Sequence, residues 1–156
     1  MTASLHCQNE LQLPAPGQSC LQRWVDQALL QAGYDKEAEL TLRIVDEPEI
    51  IALNKHYRGR SSATNVLAFP AGLPAHLELP LLGDIIACAP VIEREARHQD
   101  KPAEAHWAHM LVHGTLHLLG HDHQSASEAA LMESLETRIL TALSFAPPYE
   151  PTDPIT

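Results

Sequence analysis

Positive charge is scarce in this sequence: ten Lys and Arg stand against twenty Asp and Glu, for a formal net charge of -10. That balance excludes a broad polyanion-binding surface, which needs an excess of cations, and confines any contact with a phosphate backbone to a local patch. Cysteine is sparse as well. Cys7, Cys20 and Cys88 are an odd three without C-x-x-C spacing, which excludes a disulfide framework and a zinc ribbon and suits a reducing compartment. No apolar run reaches the roughly 20 residues of a membrane span, and "MTASLHCQNELQLPAPG" has neither the basic stretch nor the apolar core of a leader. No membrane association and a cytoplasmic location are therefore expected. The 156 residues suffice for one domain with its own core, expected over 1–145, followed by a Pro-rich flexible tail over 146–156, "APPYEPTDPIT".

The patterning predicts an α+β fold in the order β, α, β, α, β, β, α, α, α, a small mixed sheet packed with about five helices. "SCLQRWVDQALLQAG" spaces Leu21, Trp24, Val25, Ala28 and Leu29 as a helix that stops at Gly33. "AELTLRIVD" alternates Leu40, Leu42 and Ile44 with polar residues, the period of a strand. Asp46 reads as the N-cap of a helix running through Ile50 and Leu53 to Tyr57, with Pro48 in its first turn. "NVLAFP" and "LLGDIIACA" read as strands, "PVIEREARHQ" as a short helix, and residues 103–119 as a helix stopped by Gly120. Ser125 and Glu128 form a capping box for a last helix, whose apolar stripe is read as Leu131, Leu135, Ile139 and Leu143.

Histidine is plentiful, and five of the ten fall in "HMLVHGTLHLLGHDH", residues 109–123. His113 and His117, four apart on a helix, project from nearly the same direction, so two neutral imidazoles can grip one ion. Gly120 can reverse the chain in the left-handed conformation and bring His123 back to the pair. Three nitrogen ligands with a fourth position left open are the pattern of a catalytic zinc. The H-x-x-x-H-x-x-G-x-x-H spacing is that of the metzincin peptidases, in which Glu follows the first His as general base, but here that position is Gly114. Loss of a positioned base costs about 10²–10⁴ in rate, which disfavours a peptidase. Hydrolysis of a phosphodiester by a water held on the metal suits what remains, provided a cation helps with the phosphate charge. The short basic cluster "NKHYRGR", with Lys55, Arg58 and Arg60, can supply one. His109 lies on the helix one turn before His113, and Asp122 lies in the reversing loop; either can bond to a ligand imidazole from behind.

"HGTLHLLGHDH" resembles the signature of the YbeY family of endoribonucleases. "LNKHYRGRSSATNVLAFP" and "LLGDIIACAPVIEREA" resemble further blocks of the same family, so the likeness covers roughly residues 40–140. The resemblance implies one zinc ion held by His113, His117 and His123 at the base of a cleft in an α+β fold. It implies cleavage of single-stranded RNA, serving 3′-end maturation of 16S ribosomal RNA and ribosome quality control, with the functional arginine at Arg58. The implied partners are the small ribosomal subunit and its proteins or an assembly GTPase. Asn65 and Ala68 stand where many relatives have Asp and Ser. The alternative reading is a ribosome assembly factor with a mainly structural zinc, docking basic ribosomal proteins through its acidic surface.

Overall fold

The computed structural model describes residues 3–77 and 79–149. Strand β1 (Ser4–Gln8) is followed by helix α1 (Gln18–Gln31), strand β2 (Glu39–Val45), helix α2 (Glu47–Arg58) and strand β3 (Val66–Pro70). After a 3₁₀ turn at Ala75–Leu77 come strand β4 (Leu81–Cys88) and helices α3 (Ala89–His98), α4 (Ala103–Leu118) and α5 (Ala126–Ala142). The sheet order is β1-β2-β4-β3, with β1, β2 and β4 parallel and β3 antiparallel to β4. This is the α+β architecture with a small mixed sheet that the sequence predicts, and its first strand is "SLHCQ".

Alternation along the strands divides the interior into two layers. Leu40, Leu42, Ile44, Ile85, Ala87 and Val66 join a core shared with α1, α4 and α5, in which Trp24, Leu116 and Ile139 are almost wholly removed from solvent. Val45, Leu67, Ile86 and Cys88 form a second cluster with Ile50 of α2 and Val91 of α3. Strands β2 and β4 are therefore covered on both faces toward their C-terminal ends, where they read as near-continuous apolar runs, whereas Ser4, His6 and Gln8 of β1 are exposed.

Helix α4 is central, packing against α1, α3, α5 and the sheet. Gly114 makes part of that packing close. A Cβ built there would lie 3.1–3.3 Å from the side chain of Ile85. The position where a metzincin carries its glutamate is thus a point at which α4 leans on β4.

Local signals set the helix ends. The Asp46 carboxylate accepts from the backbone N–H of Glu49 at 3.2 Å, and the Ser125 hydroxyl accepts from that of Glu128 at 3.1 Å. Each satisfies an amide that the first helical turn leaves without a partner. The stripe on α5 differs from the sequence reading: Leu131 is exposed, and the buried face carries Met132, Leu135, Glu136, Ile139 and Leu140. No helix among the described residues is long and apolar enough to cross a membrane. Of the expected tail, residues 150–156 lie outside the described residues, whereas Tyr149 is half-buried and hydrogen-bonded to α5.

Candidate metal centre

Helix α4 ends in a turn built from its own last carbonyls: Gly120 N–H donates to His117 O and His121 N–H to Leu116 O, both at 3.0 Å. Gly120 holds φ +99°, a conformation that L side chains rarely adopt, so the reversal depends on glycine. It brings His123 alongside His113 and His117. The ring centroids are 4.7 Å apart for His113 and His117, 5.4 Å for His117 and His123, and 5.8 Å for His113 and His123. One nitrogen from each lies within 4.8 Å of the other two. No fourth His, Cys, Asp or Glu joins this group among the described residues.

Three imidazoles are the donor set that zinc and other borderline divalent ions favour, so His113, His117 and His123 are the residues that would hold such an ion. The environment also fits an ion. Burial, then the neighbouring His113 and His123 and the Arg58 guanidinium, lower the His117 imidazole to about 4 against an opposing pull from Asp122. Its lone pair is therefore free at neutral pH.

His113 is oriented from behind. Its Nδ1–H donates to Glu136 Oε1 at 2.7 Å, and Glu136 is wholly inaccessible to solvent. Burial alone would raise that carboxyl, but hydrogen bonds from His109 and His113 outweigh it and bring it down to about 2. The carboxylate must accept, so His113 carries its proton on Nδ1 and presents Nε2 to the cluster. Sequence reading missed Glu136. The available signal was an acid four residues after Met132 and three before Ile139, on the face that packs inward, where an unpaired carboxylate would be costly.

The remaining predicted residues divide. Arg58 and Arg60 share with His113, His117, Asp122 and His123 the walls of an open cleft of about 760 Å³. Gly59, at φ 70°, ends α2 between the two arginines with its N–H donating to Lys55 O at 3.0 Å. Buried Asn54 pins the loop beyond by donating from Nδ2 to Ser62 O at 2.9 Å. Lys55 is exposed and is not part of the cleft wall. His109 faces away from the cleft and lies 3.2 Å from Glu136 Oε2 through Nε2. Asp122 accepts the backbone N–H of His123 at 2.7 Å, and its carboxylate is 3.8 Å from His123 Nδ1, too far for a hydrogen bond to the ring.

Asn65, in the same cleft, donates from Nδ2 to Glu95 Oε1 at 3.0 Å, and that oxygen also meets His106 Nε2 at 2.8 Å. An aspartate at 65 would set two carboxylates against each other. The amide in this chain is matched to Glu95, which ties the cleft wall to α4.

Fold and site together define an α+β domain in which a helix–turn triad of histidines that could hold a metal ion shares a cleft with two arginines. The family model described as "Endoribonuclease YbeY" matches residues 6–144, and the chain belongs to that family, one of endoribonucleases in ribosomal RNA processing. The fold is also that of the solution structure of TM1509 from Thermotoga maritima, at 21% sequence identity and a TM-score of 0.57, over 94% of this chain and 99% of that one.

Proposed function

We propose that the protein is a zinc-dependent endoribonuclease specific for single-stranded RNA, acting in the cytoplasm on the 3′ end of 16S ribosomal RNA and in ribosome quality control. The observation that carries this reading is the opposition of His113, His117 and His123 to Arg58 and Arg60 across one cleft. A zinc ion held by the three histidines would supply Lewis acidity and lower the pKa of a water in its open position toward neutrality. Glu136 fixes the direction in which His113 presents Nε2, and His117 stays unprotonated so that it can bind. Arg58 offers a phosphodiester two parallel N–H donors and stabilises charge that develops on its oxygens. Arg60 holds the adjoining phosphate, and Lys55 attracts the strand from outside the cleft. Few phosphates are contacted, so affinity should fall with a shallow salt slope despite the acidic net charge. The small ribosomal subunit and its proteins, or an assembly GTPase, are the partners that would present the RNA.

The reading as an assembly factor with a mainly structural zinc draws on the net charge of -10, which suits docking on basic proteins. It predicts a closed fourth position, whereas only three protein donors meet among the described residues. The test is cleavage of an end-labelled single-stranded RNA by zinc-loaded protein, with chelator-treated, His117→Ala and Arg58→Glu samples beside it. His117→Ala should lose zinc and cutting together. Arg58→Glu should keep zinc and lose turnover by at least about 10²-fold, the scale of removing one donor to transition-state charge. Cutting at the parental rate by Arg58→Glu would remove the arginine from its role. No cutting by folded, zinc-replete parent would transfer the function to assembly.

A further inference from the structure

The family match ends at residue 144, yet the chain continues to a contact with the metal centre. Beyond α5 it returns far enough for the Tyr149 hydroxyl to donate to Glu136 Oε2 at 2.6 Å. Its ring meets that of His109 edge-on, with centroids 5.3 Å apart, and the hydroxyl is 3.2 Å from His109 Nε2. A carboxylate fully withdrawn from water needs donors on both oxygens. Oε1 has His113; Oε2 has Tyr149 and, at the longer 3.2 Å, His109. His109 is not tied from its other side, because its buried Nδ1 has no partner among the described residues. The Tyr149 hydroxyl is therefore the closest donor to Oε2, and the plane of the carboxyl group that aims His113 depends on it.

We propose that Tyr149 is a positioning residue of the metal centre: the segment after α5 latches onto Glu136 and, through it, holds His113 in the orientation that binds the ion. This rests on the reading above that His113, His117 and His123 hold zinc. The proposal places a determinant of metal retention outside the region that the family model covers. Among the described residues the Tyr149 hydroxyl bonds to Glu136 and His109 and to none of the three triad imidazoles, so its hydrogen bonding reaches the ion through Glu136.

The experiment measures zinc affinity by competition with a chromophoric chelator, using the full chain as parent, Tyr149→Phe, Glu136→Gln and His117→Ala. The cobalt(II) absorption spectrum and the melting temperature of the metal-free protein are recorded for each. Tyr149→Phe keeps the ring and removes only the hydroxyl. It should weaken zinc binding roughly 10-fold, the lower end of what loss of an outer hydrogen-bond partner costs a metal site, and shift the cobalt bands, while the metal-free protein, less stable for the lost bond, stays fully folded at the assay temperature. Glu136→Gln should lose roughly 10–100-fold. Parental zinc affinity in Tyr149→Phe, with loss in Glu136→Gln, overturns the latch and leaves the zinc reading intact. A fall in Tyr149→Phe with parental cobalt bands, or with metal-free protein already unfolding at the assay temperature, overturns it too, as a general loss of stability. Parental affinity in His117→Ala overturns the zinc reading and the latch together.

Discussion

Replacing Gly114 by alanine sets two effects of comparable size against each other. Glycine inside a helix is about 1 kcal/mol less favourable than alanine, so propensity alone predicts a more stable protein. The new methyl, however, would lie 3.1, 3.2 and 3.3 Å from Cγ2, Cδ1 and Cγ1 of Ile85, where unstrained carbon contacts sit at about 3.5–4.0 Å. Ile85 is fully buried in β4, an inner strand of the sheet. Overpacking of that kind costs about 1–3 kcal/mol, so the net expectation is a loss of roughly 0–2 kcal/mol. For a domain of this length that is a fall in Tm of up to about 8 °C. Any relief must come from α4 lifting off the sheet between His113 and His117, so zinc affinity should fall along with stability. Urea unfolding of metal-free protein, paired with zinc competition, measures both. A Gly114→Ala protein that is about 1 kcal/mol more stable than its parent, with unchanged zinc affinity, would refute the argument that close packing excludes a side chain here.

Two further outcomes are expected. Zinc at about 100 times its dissociation constant should stabilise the native state by about 2.7 kcal/mol, and a chelator should reverse the gain; a melting temperature indifferent to both would show that the triad binds no ion in the native fold. Burial holds His106 below its ordinary value of 6.5, against an opposing hydrogen bond from Glu95. The unfolded chain then takes up the proton first, so the parent should lose stability relative to His106→Gln as pH falls from about 7.5 to about 5.5. Urea midpoints across that range check it, and a pH-independent gap between the two proteins would mean that His106 does not titrate this way.

What the sequence made legible was local. The triad is one helical turn plus one glycine reversal, so its spacing alone brings the donors together, and the caps at Asp46 and Ser125 act within three residues. The order of strands and helices followed from changes of period. Errors arose where a local rule was carried too far. The series Leu131, Leu135, Ile139, Leu143 advances four residues at a time, drifting about 40° per step on a 3.6-residue turn, so its first member fell outside the buried face that Met132 occupies. The same drift turns His109 away from the cleft and toward Glu136. Glu136 and Tyr149 reach His113 only because α5 packs on α4 and the chain returns beyond it, a relation no window of sequence contains. Lys55 and Arg58 look equivalent in a basic cluster, yet Arg58 at the end of α2 is on the cleft wall while Lys55, nearly one turn earlier on the same helix, is outside it.

The parts of the centre are strung along the chain in a definite order. Arg58 and the strand that follows it belong to the first half, whereas all three imidazoles, the Glu136 carboxylate and the Tyr149 hydroxyl fall after residue 112. Synthesis from the N-terminus therefore completes the cation-bearing wall long before the wall that can hold an ion. A chain that stops before residue 123 has the guanidinium groups but not the complete histidine triad, and the full set of hydrogen bonds around Glu136 closes only when Tyr149 has been added. Assembly of the centre thus comes late in the growing polypeptide.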